Sequence, residues 1–439
     1  MAPLWLISGF VIVFVYFYYV GILERKYIYF PVRTFGKKLF WQSFWIRALA
    51  MFTIVFIAEI TWGRPLYVGA VDSMRYFRVS REVAEVFWSQ GIGQVYPHLM
   101  NEYGSADNIG VPFIIGLLFA FSINSVILAN LYILTLGSFS VVFIYRTASY
   151  LLDQPTARLA GFLAAFMPLS LFFETVMLKE GFVVFFSSAS IYLATKMIVT
   201  GRTSLKSIAL LVLSVFSLFF FRTAAGAIIA ICVAALFLLN NMKGNIFLSW
   251  TTGLGTAILF VFLLNYAADT DYYLGRIESG TEHGDARIAA VERGTSWQNL
   301  SMGPAFIVFS HFGPYPSMVR IDIRHGFGHD ATYYWVAGLI VWNILALYAL
   351  LGLWSLIKSK PRKSLMVWGF TVGYTIVLTT TAMFTQVRLG WNIMPMMMIP
   401  ASVGLRKYPS INTFYLALAV AGFFIIAWNI FRAIGRGVL

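Results

Sequence analysis

The sequence predicts an all-α polytopic membrane protein, a single helical bundle of about 12–13 transmembrane helices spanning residues 1–439. Three observations predict it. Hydrophobic residues make up 59% of the chain and charged residues only 11%, a balance foreign to soluble globular domains. Roughly a dozen apolar runs reach the length of about 20 residues that one crossing needs. Finally, 10 of the 11 lysines fall in short loops that can all be placed on one side of a membrane, as cytoplasmic loops require.

Taken in order, the runs are 4–22, 45–62, 124–145, 158–173, 181–198, 207–221, 224–240, 246–266, 333–356, 365–383, 390–404 and 411–431. The first has full span length, lacks a basic leading segment and is followed by no small-residue cleavage site, so it reads as a retained span and not a signal peptide. These 12 crossings put both termini outside. The cytoplasmic loops then carry Lys26, Lys37, Lys38, Lys196, Lys206, Lys243, the Lys358/Lys360/Arg362/Lys363 cluster and Arg406/Lys407. Segment 111–122 is apolar but short. If it crossed, as a thirteenth span, Lys196, Lys206, Lys243 and the 358–363 cluster would move outside, so it reads as re-entrant or interfacial. Two long extracytoplasmic loops remain, 63–110 and 267–332, rich in charged, aromatic, Gly and Pro residues.

The net charge of +14 is dispersed over span ends and not gathered into one stripe, which excludes nucleic acid as a partner and leaves membrane lipids. A single cysteine, Cys232, excludes an intrachain disulfide and a cysteine metal site. His325 and His329 are four apart, but Gly326-Phe327-Gly328 between them disfavours a helix that would put both imidazoles on one face. A divalent metal held by the acids and histidines of the outer loop stays the less favoured alternative to no cofactor.

The polar residues of the outer side are the candidates for chemistry. Asp72 opens the first loop in Gly69-Ala70-Val71-Asp72-Ser73-Met74-Arg75-Tyr76-Phe77-Arg78, where a carboxylate bordered by apolar walls can act as a general base. The alternative is an interfacial aspartate paired with Arg75 or Arg78. Glu174, Lys179 and Glu180 form a second cluster, and Lys179 is the single lysine outside the cytoplasmic set. Lys179 suits a lipid phosphate, with Glu180 orienting the acceptor or the base; a local Lys179/Glu180 pair is the plainer reading. Arg222 interrupts an apolar run and Arg388 stands at the outer start of a span. Arginine at such depth faces a bundle interior, a polar cavity or a phosphate, or snorkels to headgroups.

Several stretches in order resemble the membrane-embedded GT-C glycosyltransferases. These are Asp72 with Tyr76 in the first external loop, then Tyr96-Pro97-His98-Leu99 before an apolar run. Asp153-Gln154-Pro155-Thr156-Ala157-Arg158 follows, leading to Pro168 and the acidic stretch Glu174–Glu180. The late stretch Gln386-Val387-Arg388-Leu389-Gly390-Trp391-Asn392-Ile393-Met394-Pro395 is similar to the family's arginine and proline-bearing span. Phe309-Ser310-His311-Phe312-Gly313-Pro314-Tyr315-Pro316 resembles an aromatic-proline motif of exopolysaccharide-locus members.

The resemblance, which extends to the dolichyl-phosphate-mannose and aminoarabinose transferase group, implies transfer of a sugar from a polyprenyl-phosphate or polyprenyl-diphosphate carrier to a glycan or lipid acceptor. It implies Asp72 as the catalytic base and supports Arg388 as a phosphate ligand; together with the reading of the residues above, Glu180 joins Asp72 as a catalytic candidate, and Tyr76, Lys179, Arg222 and His311 join Arg388 as substrate-binding candidates. It places the protein in a bacterial cytoplasmic membrane with the active site facing the periplasm or exterior. Ser73 stands where the family often has a second acid, which argues against a paired-acid or metal-dependent version. A repeat-unit polymerase of the same fold, a transporter or flippase for lipid-linked sugars, and a structural subunit remain as alternatives.

Overall fold

Two long helices, α1 (Ala2–Tyr27) and α2 (Val32–Trp62), open a computed structural model that describes residues 2–63, 65, 71–104, 106–239, 311–313, 315, 332–380 and 390–434. α2 stops at Gly63, whose φ of 62° lets its N–H reach back to the Glu59 carbonyl at 2.8 Å. Next come α3 (Val71–Gln90), α4 (Ile92–Tyr103), a short 3₁₀ turn at Ala106–Asn108 and α5 (Gly110–Ala120). The bundle continues with α6 (Val126–Leu151), α7 (Gln154–Phe166), α8 (Pro168–Phe173), α9 (Glu180–Thr200), α10 (Leu205–Phe219) and α11 (Thr223–Leu239). After the gap in the description come α12 (Thr332–Ser359), α13 (Leu365–Thr380), α14 (Met394–Lys407) and α15 (Ile411–Ile434). No strand occurs among the described residues.

Among the described residues, α2, α6, α9, α12 and α15 are long and apolar enough to cross a membrane, while α5, α10, α11 and α13 are apolar but shorter. The chain is a multi-pass helical membrane protein. Expected span 246–266, most of loop 267–332 with His325 and His329, Lys243 and Arg388 lie outside the described residues.

Side-chain contacts fix which helix ends share a face. Gly36 meets Arg146, Phe40 stacks near Phe139 with centroids 4.7 Å apart, and Ala48 and Met51 pack on Leu134. α2 and α6 are therefore antiparallel, and the chain between them returns to the face it left. Segment 111–122 changes no parity. Within it, α5 is 11 residues long and lies against α3, where Gly116 leaves room for Val83 and the Ser80 carbonyl.

The basic loops meet at the other face. Arg158 donates to the carbonyls of Tyr27, Ile28 and Phe30, Lys360 to that of Leu151, and Lys407 to the Ser355 hydroxyl at 3.2 Å. Arg406 pairs with Glu24. One end of the bundle is thus lysine-rich, as the loop charges predict.

The expected span 158–173 is not a single helix, and this is a correction to the sequence reading. α7 starts on Asp153, which caps it by accepting from the Thr156 N–H at 3.3 Å and the Thr156 hydroxyl at 2.7 Å. It runs inward to Phe166 and breaks at Met167-Pro168, because proline cannot donate to the ladder and bars its neighbour from the helical region. Six residues of α8 follow, then the non-helical stretch 174–179, wholly buried. Irregular backbone at membrane depth is tolerated only inside protein or along a cavity.

Arg47 holds that break. It lies about 16 Å of helix rise from Gly36, at the middle of the apolar part of α2. Its Nε and Nη2 donate to Glu174 Oε2 at 2.9 and 2.7 Å, and Nη2 also to Ser170 Oγ at 2.9 Å. Nη1 donates to the Ala165 carbonyl at 3.0 Å and to the Ser43 hydroxyl. The side chains are 0% and 2% exposed. Gly137 of α6 supplies the space, since a Cβ there would stand 2.5 Å from Glu174 Oε2.

Removing one partner strands a buried charge, whereas replacing both with apolar groups removes the desolvation cost too. Arg47→Ala is expected to destabilise the purified protein by about 3–5 kcal/mol. The double variant Arg47→Met/Glu174→Leu should recover most of that, read as melting temperature in detergent. The bundle also predicts that, in a Cys232→Ala background, Ser122→Cys and Ser204→Cys label from opposite faces of the membrane.

Candidate functional site

The first candidate group is set by α3 and α4. Asp72 sits in the first turn of α3, half-buried, where the helix dipole favours its charge. Glu102 and Tyr103 end α4, which is closed by Gly104 at a φ of 66°. Arg75 lies 4.3 Å over the Tyr103 ring and donates to the Glu102 carbonyl, and Arg78 bridges Glu82 and Glu102 at 3.1 Å each. Burial pushes the Tyr103 phenol above its ordinary range; Arg75 opposes this, and Asp72 and Glu102 add to it. The hydroxyl therefore stays protonated, is buried and has no hydrogen-bond partner. Tyr76 is 2% exposed and packs on Tyr103 with ring centroids 6.2 Å apart.

The second group lies at the end of the broken segment. Gly181 meets Ile133, and Phe182 lies near Tyr132, closer to the α6 N-terminus than the Gly137 level of Glu174. Lys179 and Glu180 are both buried but take different partners. Lys179 Nζ donates to Asn108 Oδ1 and, at 3.4 Å, to the Asp107 carbonyl. Glu180 accepts from Arg222 at 3.3 Å, with side-chain exposures of 0% and 15%.

Arg222 stands in the tight turn between α10 and α11, its N–H bonded to the Leu218 carbonyl at 2.6 Å. Phe221 anchors that turn by stacking on Phe182 at 4.7 Å and 11°. Arg222 pairs inward instead of snorkelling, and its Nε has no hydrogen-bond partner. Tyr374 of α13 lies within electrostatic reach of both Arg222 and Glu180, and Asn392 Nδ2 donates to its hydroxyl at 3.0 Å.

The two groups are joined by stretch 103–108, which carries Tyr103 beside Asp72 and Asp107-Asn108 beside Lys179. Gly110 completes the junction. Its N–H donates to the Phe220 carbonyl at 3.0 Å, and a Cβ there would meet that oxygen at 2.8 Å and the Phe221 ring at 2.7 Å. The start of α5, the Lys179 side chain and the Arg222 turn thus meet at the end of the bundle opposite the lysine-rich loops.

His311 lies apart from this junction. It is buried 6.2 Å from Trp342, in a stretch fixed by Trp342 Nε1 donating to the Gly313 carbonyl at 3.0 Å and Asn343 donating to that of Phe312. Arg388 is outside the described residues. Among the described residues no group of three or more His, Cys, Asp or Glu could hold a metal ion.

Sequence reasoning missed Arg47, Tyr103, Asn108, Tyr374 and Asn392. Arg47 had a readable signal, an arginine inside an apolar run whose cytoplasmic end is marked by Lys37 and Lys38. The others are neutral residues whose importance comes only from contacts distant in sequence. Asp153 and Arg158, part of the family-like stretch, act here as a helix cap and a clasp on the α1–α2 loop.

The fold defines a class, the multi-pass α-helical membrane proteins. Neither a family model nor a curated protein matches the chain.

Gly110→Ala is expected to lower the melting temperature and to speed amide hydrogen exchange in 106–110 and 218–226 together. Acceleration confined to 106–110 would mean that the Arg222 turn is set independently.

Proposed function

We propose that the protein is a glycosyltransferase that moves a sugar from a polyprenyl-phosphate or polyprenyl-diphosphate carrier to a glycan or lipid acceptor. It acts at the bundle end opposite the lysine-rich loops, in cell-surface polysaccharide synthesis at a bacterial cytoplasmic membrane. The observation that carries this reading is the junction at 103–110, which joins the half-buried Asp72 to a buried group holding two cations, Lys179 and Arg222.

In this reading Asp72 removes the proton from an acceptor hydroxyl as that oxygen attacks the anomeric carbon. The bond from that carbon to the carrier phosphate breaks with inversion, and the carrier leaves as a phosphate anion. No acid is needed if cations offset the developing charge. Arg222 is suited to that, since its side chain is 15% exposed while Glu180 accepts from one end of the guanidinium. Glu180 and Tyr374 orient it, and Lys179 fixes the 106–108 turn. Arg388 joins the phosphate site on the family resemblance. A polymerase joining lipid-linked repeat units would use the same groups.

A transporter of lipid-linked sugars is the second reading, favoured by a charged pair at mid-depth beside a broken helix. Against it, every N–H of Arg47 is satisfied and the two side chains are 0% and 2% exposed.

Cells lacking the protein and restored with Asp72→Asn at matched membrane levels should lack the surface glycan as the deletion does, while the carrier-linked donor accumulates. Full restoration of the glycan by Asp72→Asn would remove Asp72 as the base.

A further inference from the structure

A groove of about 520 Å³ runs along the flank of the bundle between α1, α2 and α7, at the lysine-rich end. Tyr19 of α1, Phe166 of α7 and, from α2, Trp41, Trp45, Ile46 and Leu49 line it, with Lys38 and Gln42 as its polar residues. We propose that this groove binds one acyl chain of an anionic phospholipid, with the headgroup phosphate on Lys38.

The shape suits a chain of one leaflet. From Lys38 to Leu49 the groove follows about 16 Å of helix rise, close to half of a hydrocarbon core about 30 Å thick. A carrier lipid spanning both leaflets would outrun it. Trp41 and Trp45 stack with centroids 6.4 Å apart and planes 26° apart, giving a flat aromatic wall. Both rings are exposed, Trp45 at 64%, and lead into the exposed apolar face of α2 that continues through Leu49, Phe52 and Phe56.

The charge suits an anionic headgroup. Lys37 and Lys38 are exposed, Arg33 lies one turn before them, and Arg25 and Lys26 end α1 nearby. The adjacent acid, Glu24, is already paired with Arg406. A cluster of this kind beside an apolar surface recognises anionic lipid. Gln42 adds hydrogen-bonding capacity. Its Nε2 donates to the Tyr27 hydroxyl at 3.4 Å, and its buried Oε1 has no partner among the described residues. The groove lies at the end of the bundle away from Asp72, so the inference stands apart from the proposed transfer reaction.

The test is native mass spectrometry of the full chain released from micelles containing equal dioleoyl-phosphatidylglycerol and dioleoyl-phosphatidylcholine. One phosphatidylglycerol should be retained with several-fold preference. Lys38→Gln, an exposed position that leaves the core intact, should bring the preference close to parity. Ile46→Trp should fill the groove and remove the retained lipid of either kind. Unchanged phosphatidylglycerol retention in Lys38→Gln would overturn the proposal, as would displacement of that lipid by an equal amount of undecaprenyl phosphate.

Discussion

The ion pair between Arg47 and Glu174 is the constraint on which the rest of the described bundle depends. A guanidinium at the middle of an apolar helix is costly unless each N–H finds an acceptor, and here the acceptors come from three places. Ser43 lies on α2 itself, Ala165 on α7, and Ser170 and Glu174 on the far side of the Met167-Pro168 break. A continuous helix through 158–173 could not bring Ala165 and Glu174 to one guanidinium so directly. The break at proline is thus matched to the arginine, and Gly137 removes the side chain that would obstruct the carboxylate.

Once Glu174 is fixed, the residues after it have little freedom. The buried stretch 174–179 carries Lys179 to the 106–108 turn and Glu180 to Arg222, and Gly110 seals the contact by letting α5 touch the α10–α11 turn at backbone distance. Asp72 is reached through Tyr103. A segment outside the apolar core of the bundle is therefore positioned by a pair inside it. The energetic cost of the interior charges is offset by the specific path they impose on the chain.

Much of the fold was legible in the sequence because membrane burial imposes strong patterns. Hydropathy located the long helices, and the lysines identified one end of the bundle, which contacts of Arg158, Lys360 and Arg406 now tie together. The same charge pattern required 111–122 not to cross, in agreement with the antiparallel pairing of α2 and α6. The broken helix was not legible in hydropathy, since 158–173 is apolar apart from Arg158 and Ser170 and the break is a backbone event; Pro168 was its local sign. The site was legible in part. Lys179 and Arg222 stood out as charges against a pattern, but their partners lie 71 and 42 residues away, and no local rule finds Asn108 or Glu180 for them. Tyr76, four residues after Asp72, falls on the buried side of α3.

In the proposed function, the Arg47–Glu174 pair is scaffold at mid-depth and the chemistry lies at the bundle end, and a single measurement tests that separation. Surface glycan is measured in cells whose only copy of the protein is the double variant Arg47→Met/Glu174→Leu, at matched membrane levels. If the pair is scaffold, apolar groups of similar volume preserve the path of 174–180 and the glycan is made at near-native levels. Loss of the glycan from a protein that remains folded and membrane-inserted would contradict this, and would make the charged pair part of a pathway through the bundle.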